Sequence, residues 1–204
     1  MLSVALGCSP VLMTCGALAV QSHGAGRPHC PCAPTGVQSS PKQDLSGRIK
    51  MAGRKRNLLV AQSGGPTAVI NNSLVGVVHE ALEQREIGAV IGAVRGIEGV
   101  LEDNLVDLGA EDSETLRLLR QTPSSALGTS RHKLQPGDLE RVLAAFERYD
   151  IGIFCYIGGN DSMDTTQRIG ALAAARGLDL RAIGVPKTVD NDLEETDHCP
   201  GYGS

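Results

Sequence analysis

Three largely apolar stretches each stop abruptly at a cluster of small, polar or charged residues. Residues 57–62 (NLLVAQ) run into Ser63-Gly64-Gly65-Pro66-Thr67, and residues 151–159 (IGIFCYIGG) run into Asn160-Asp161-Ser162. Residues 180–186 (LRAIGVP) run into Lys187-Thr188-Val189-Asp190-Asn191-Asp192. Continuous rather than alternating hydrophobicity suits a parallel strand buried on both faces. Helical periodicity fills the intervals. Residues 68–84 carry Val69, Ile70, Leu74, Val77, Val78, Ala81 and Leu82 at that spacing, and residues 164–176 carry Ile169, Leu172 and Ala173 before Gly177. A further strand is expected at 87–94, a loop or short strand at 101–109, and helices at 113–120 and 138–149, the last after Pro136-Gly137. Strands alternating with helices predict an α/β fold with a parallel sheet, right-handed crossovers and ligands at the C-terminal strand ends. All three clusters fall at that edge.

Composition narrows the field further. The 204 residues suit one ordinary domain with an appendage. Aromatic residues make up 2% with no Trp, which removes base-stacking platforms for single-stranded nucleic acid. A net charge of −4 and a pI near 5.7 argue against a surface that tracks a phosphate backbone. Residues 1–50 form a different regime, with Arg27, Lys42, Arg48 and Lys50 against the single acid Asp44, and with Cys8, Cys15, Cys30 and Cys32. Their apolar start lacks the basic residues of a secretory signal and is interrupted by Pro10, too broken for a membrane helix. Cys30 and Cys32 have no second ligand pair at zinc spacing. The expectation is a disordered leader or an upstream extension at 1–50, and a folded lobe at 51–204 opening at Met51. Only Cys155 and Cys199 follow, so no disulfide framework is expected, and a reducing cytoplasm is the default.

Each cluster has two readings. Ser63 to Thr67 is either a tight turn or a backbone cradle for phosphate. It lacks the third glycine of the dinucleotide fingerprint and the Gly-Lys-Ser/Thr of a P-loop, which demotes a nicotinamide dehydrogenase. Gly158 and Gly159 let backbone approach a ligand, and Asn160 and Asp161 offer oxygens to Mg²⁺. Ser162 and Asp164 are alternatively helix caps. Residues 187–192 place a cation, a hydroxyl and two carboxylates after a strand. An Asp in such a place can accept a hydroxyl proton during phosphoryl transfer, and a lysine can balance phosphate charge. The competing reading is a solvated polar turn, to which Glu194, Glu195 and Asp197 are assigned. His79 is read as a helix-face residue, His132 as a loop residue, and the basic run 54–56 as a solvated chain start.

Together the stretches VAQSGGPTAVINNSL, SSALGTSR, YIGGNDSMDT, GVPKTVDNDL and TDHCPGYGS resemble the phosphofructokinase family, and its pyrophosphate-dependent branch in particular, over residues 56–204. The resemblance implies a three-layer, parallel-sheet lobe of the phosphofructokinase type. It also implies Mg²⁺-dependent transfer of a phosphoryl group from pyrophosphate to the 1-hydroxyl of fructose 6-phosphate, a glycolytic step. By the same resemblance Asp190 is the base and Lys187 a catalytic cation. Thr188, Val189, Asp190 and Asp192 contact the sugar phosphate, and Gly64, Gly65, Arg131 and Asp161 contact the donor. The metal position falls on Asn160 and Asp161, with the departure that Asn160 stands where the family usually has an aspartate. ATP-using members usually have glycine at the positions of Asp161 and Lys187, so a carboxylate and a cation here favour pyrophosphate. Members also carry a second lobe with further sugar-phosphate contacts and assemble as homo-oligomers. Residues 51–204 are therefore expected to be a truncated, N-terminal part, with little activity alone. An ATP-dependent 6-phosphofructokinase and a noncatalytic phosphate-binding remnant are the alternatives.

Overall fold

Alternate residues of the two central strands serve opposite faces of one sheet, and this sets the architecture. In the computed structural model, which describes residues 55–135 and 137–203, β1 (Arg56–Gln62) pairs in parallel with β2 (Ile87–Ala93) on one side and with β4 (Ile151–Gly158) on the other. Leu59, Ala61, Phe154 and Tyr156 join one buried cluster, while Leu58, Val60, Cys155 and Ile157 join another. Both phases of each strand are apolar because both faces are covered. The first cluster is completed by α2 (Ile97–Leu101), α4 (Asp138–Arg148) and α5 (Asn160–Ala175), through Ile97, Val142, Phe146 and Ile169. The second is completed by α1 (Ile70–Glu83) and α3 (Ser113–Leu119), through Ile70, Leu74, Val78 and Leu116. The result is the expected three-layer α/β lobe.

Strand order is β3-β2-β1-β4-β5, with β3 (Leu105–Asp107) and β5 (Arg181–Pro186) at the edges. The chain leaves β1 through α1 on one face and leaves β4 through α5 on the other. Neighbouring strands that send their helices to opposite faces open a crevice at their C-terminal ends. β1 and β4 are that pair.

Three expectations need correction. β3 runs antiparallel to β2, because the short α2 and a turn reverse the chain within the same edge. Helix α5 begins at Asn160, four residues before the apolar periodicity, with Gly159 at its N-cap and no side-chain cap. Ser162 and Asp164 are therefore helix-interior residues: the buried Ser162 occupies space that a Cβ on Gly158 would fill, and Asp164 pairs with Arg168 at 3.7 Å. Arg56 is no solvated start, since its guanidinium donates to the carbonyls of Ile151 (2.6 Å) and Asp179 and pairs with Asp150 at 3.4 Å. His79 is an exposed helix-face residue 3.7 Å from Glu83, and Glu194, Glu195 and Asp197 are exposed, all as expected. Cys155 and Cys199 are free and buried. The cysteines and the apolar start of residues 1–50 lie outside the described residues. Among the described residues no helix is long and apolar enough to cross a membrane.

Candidate active site

The crevice between β1 and β4 is a cleft of about 950 Å³, and the residues after β1, β4 and β5 form most of its wall. Gly64, Gly65, Arg131, Asn160, Asp161, Lys187, Thr188, Val189 and Asp190 all line it. Four sequence-distant stretches thus meet at one place. Asp192 stands outside the lining and reaches it through Asn160, whose Nδ2 donates to Asp192 Oδ2 at 2.9 Å. That bond orients the amide and leaves its oxygen, the one atom of the group that can ligate a cation, unused by Asp192.

The two glycines of the first turn admit two cations. Gly64 has φ +73°, a left-handed conformation, and a Cβ there would lie 3.2 Å from Lys187 Nζ. A Cβ on Gly65 would lie 3.6 Å from Arg131 Nη2. Lys187 itself is 3% exposed, and its ammonium donates to the Gly65 carbonyl at 2.5 Å. Its backbone N–H bonds the Gly158 carbonyl at 3.0 Å, which fixes the start of the 187–192 loop to the end of β4. Burial, and then the neighbouring Arg131 charge, hold the Lys187 ammonium below its ordinary pKa. An anion bound between these cations offsets both costs.

The 187–192 loop is braced from within and from behind. Thr188 Oγ1 donates to Asp190 Oδ2 at 3.2 Å and accepts from the Asp190 N–H at 3.1 Å. Behind it, Thr188 N–H bonds the Pro200 carbonyl at 3.0 Å, and Cys199 N–H bonds Asn191 Oδ1 at 2.7 Å. These contacts hold Asn191 at φ +52° and leave the Asp190 carboxylate exposed to the cleft. Val189 is 61% exposed beside it. The arrangement sets a carboxylate able to accept a proton in the same cleft as a buried ammonium and a guanidinium suited to phosphate.

Several lining residues carry no local signal. Ser130 receives Ser63 Oγ (3.2 Å) and the Gly64 N–H (3.3 Å) on its carbonyl, tying the 123–131 loop to the glycine turn. Tyr156 reads in sequence as one more apolar strand residue, yet its phenol lines the cleft. Burial pushes that phenol up in pKa, while a hydrogen bond with the Ser63 side chain opposes the shift. A buried tyrosine hydroxyl seeks a partner, and that was the one available hint. His132 also lines the cleft, with Nε2 2.9 Å from Asp138 Oδ2, and the hydrogen bonds from His132 and the Gln135 N–H hold the Asp138 carboxyl below its usual range.

No three His, Cys, Asp or Glu side chains among the described residues group to hold a metal by themselves. The donors at hand are the carboxylates of Asp161 and Asp190 and the amide oxygen of Asn160. Such a sparse oxygen set fits an ion that takes most of its coordination from phosphate and water, as Mg²⁺ does.

Fold and cleft together define an α/β lobe with a cationic, glycine-lined cleft at a topological switch point. Comparison with known proteins then gives the family. The phosphofructokinase family model matches residues 57–204, so the chain belongs to the phosphofructokinase family. It is 44% identical over 150 residues to a Rhodospirillum rubrum protein named pyrophosphate–fructose 6-phosphate 1-phosphotransferase, covering 74% of this chain and 37% of that one. A Xanthomonas campestris protein of the same name is 47% identical over 153 residues, covering 72% of this chain and 36% of that one. The crystal structure of pyrophosphate-dependent phosphofructokinase from Nitrosospira multiformis superposes with a TM-score of 0.70 at 46% identity, over 73% of this chain and 38% of that one. The chain thus spans a little over a third of the length of the relatives it matches.

Proposed function

We propose that this lobe supplies the donor site and the catalytic base for phosphoryl transfer from pyrophosphate to the 1-hydroxyl of fructose 6-phosphate. One observation carries the reading: the buried Lys187 ammonium under the Gly64–Gly65 turn, in the same cleft as Asp190. Keeping a lysine 3% exposed with its pKa depressed is costly, and an anion bound beside it offsets that cost. The names of the relatives at 44–47% identity support pyrophosphate as that anion.

In this reading the turn at Gly64 and Gly65 lets pyrophosphate approach backbone, Arg131 neutralises its far phosphate, and Lys187 sits by the phosphoryl group that moves. Asp190 accepts the proton of the sugar hydroxyl, and its Thr188 hydrogen bond aims the carboxylate. Thr188, Val189 and Asp192 border the acceptor. Asp161 excludes ATP, because a carboxylate there meets an extra anionic phosphoryl group that pyrophosphate lacks. Asp161 and Asn160 are the residues that would hold Mg²⁺, which when bound spreads the negative charge of the phosphates. The remainder of the sugar-phosphate site, the homo-oligomer and the cytoplasmic setting belong to this proposal as well. The lobe is assigned to residues 51–204.

Calorimetric titration of the 204-residue chain with pyrophosphate and with ATP, each with Mg²⁺, tests the donor half of the proposal. Pyrophosphate should bind and ATP should bind at least about tenfold more weakly, a difference of about 1.4 kcal/mol. Equal affinity for the two, or affinity for neither, contradicts it.

A further inference from the structure

Two buried side-chain amides bracket the glycine turn, and neither has an unused hydrogen-bonding position. Gln62 is the last residue of β1, and Asn71 is the second residue of α1. Gln62 Nε2 donates to the Ile70 carbonyl (3.2 Å) and to Asn71 Oδ1 (3.1 Å), closing the base of the turn between them. Gln62 Oε1 accepts from Ser125 Oγ (2.6 Å) and from the Leu127 N–H (2.9 Å). Asn71 Nδ2 donates to the carbonyls of Thr122 and Ser124, both at 2.9 Å, and Asn71 Oδ1 also accepts from the Ala126 N–H at 3.0 Å. Each amide offers two donor and two acceptor positions, and all are filled. Gln62 is 0% exposed and Asn71 1%.

Every bond from this pair that leaves the turn ends on residues 122–127, the stretch that leads to Ser130 and Arg131. Two positive-φ positions, Ser124 (+68°) and Gly128 (+71°), shape that stretch, so it needs external anchors to hold one path. The loop returns to the turn at its far end through the Ser130 carbonyl, which receives Ser63 Oγ and the Gly64 N–H. Apolar side chains of the same size would fill the space but supply none of these bonds. A fully satisfied buried polar network specifies one arrangement more sharply than packing does.

We infer that Gln62 and Asn71 are positioning residues that fix the Arg131 loop against the Gly64–Gly65 turn, so that the guanidinium stands ready beside the turn before any donor arrives. They touch no substrate and act through the loop. Asn71→Asp keeps the shape of the side chain but sets a carboxylate oxygen against the Thr122 and Ser124 carbonyls. Ser125→Ala removes the hydroxyl that the Gln62 Oε1 and the Gly128 carbonyl share, and is the milder change.

Hydrogen exchange on the full 204-residue chain reads the device directly and does not depend on the proposed function. The diagnostic amides are Gly64, which donates to the Ser130 carbonyl, and His132, which donates to Ser130 Oγ at 2.9 Å. Neither contacts Gln62 or Asn71 through an amide side chain. In Asn71→Asp, and more weakly in Ser125→Ala, both should exchange at least about tenfold faster, while strand amides of β1 and β4 keep their protection. Faster exchange confined to Ala126 and Leu127 would overturn the inference, and so would global loss of protection in both variants. A second arm rests on the function proposed above: affinity for pyrophosphate with Mg²⁺ should fall about tenfold in Asn71→Asp but fall no further when Arg131→Ala is already present. Equal losses in the two backgrounds would show that the pair does not act through Arg131. Failure of the unaltered chain to bind pyrophosphate would count against the function alone, leaving the exchange result to decide the positioning.

Discussion

Replacing Lys187 with methionine should weaken donor binding while leaving the fold nearly as stable. The residue is 3% exposed, and burial holds its ammonium below the ordinary lysine pKa, so the folded state bears a cost for keeping the charge. Methionine fills a similar volume and removes that cost. It also leaves the Gly65 carbonyl without its 2.5 Å partner, but Gly65 is only half-buried on the cleft wall, where water can replace the ammonium. A lost hydrogen bond of that kind costs about 1 kcal/mol, and the two terms oppose each other. The melting temperature should therefore move by no more than about 4 °C. Donor binding has no such offset. A hydrogen bond between charged groups contributes about 1.5–3 kcal/mol, which is about 10- to 150-fold in affinity for pyrophosphate. Calorimetric titration beside a thermal melt gives both quantities from one preparation. Unchanged affinity, or a melting temperature lowered by well over 4 °C with affinity intact, would mean that Lys187 is a structural cation rather than a donor ligand.

Asp190→Ser, in a complete enzyme that carries this lobe, should lower kcat by about 10²- to 10⁴-fold with much less change in KM for the sugar phosphate; steady-state kinetics decide, and near-normal kcat removes Asp190 from the mechanism. Asp161→Gly in the same setting should raise kcat/KM for ATP about tenfold or more and lower it for pyrophosphate, and an unchanged ratio would falsify the repulsion account of donor choice. Burial pushes the Cys155 thiol from 9.0 up to about 11, so folding favours the thiol form. Its contribution to stability is complete below pH 9 and is lost as pH rises towards 11, and iodoacetamide at pH 8.5 should label Cys155 only at the rate of unfolding, as mass spectrometry of that peptide can show. Lys187 works in the opposite sense: the penalty for its charge is fully present below its depressed pKa and fades as pH approaches 10.5. The native chain should therefore gain stability relative to Lys187→Met over that range in urea melts.

What the chain makes legible is what its local pattern encodes. The runs 58–61 and 153–157 are apolar in both phases because α1 and α3 cover one face while α2, α4 and α5 cover the other, and this alone yields strands, layers and the loaded edge. Helix α2 leaves no sequence signal because its five residues, IEGVL, are too few to show a period. The first turn of α5 carries no apolar period because Asn160, Asp161 and Ser162 line the cleft and are polar. The direction of β3 depends on a reversal that no single residue announces. Within the site, Lys187, Asp190 and the two glycines were readable because strand ends place them together. Gln62 and Asn71 were not. Gln62 reads as the polar end of a strand and Asn71 as part of a helix surface, whereas their partners lie more than fifty residues away at 122–127. Burial of that kind is decided by tertiary contacts and leaves no spacing behind.

The central claim is that this cleft draws its phosphoryl group from pyrophosphate, and turnover in a whole enzyme tests it most directly. Residues 57–204 can replace the matching segment of the Rhodospirillum rubrum relative, which is 44% identical over 150 residues and supplies the rest of its own length. Phosphorus NMR then follows the purified hybrid with fructose 6-phosphate, Mg²⁺ and either pyrophosphate or ATP. With pyrophosphate, fructose 1,6-bisphosphate and orthophosphate should appear in equal amounts, and with ATP the rate should be at least about tenfold lower. A folded hybrid that consumes no pyrophosphate, or that uses ATP equally well, contradicts the account.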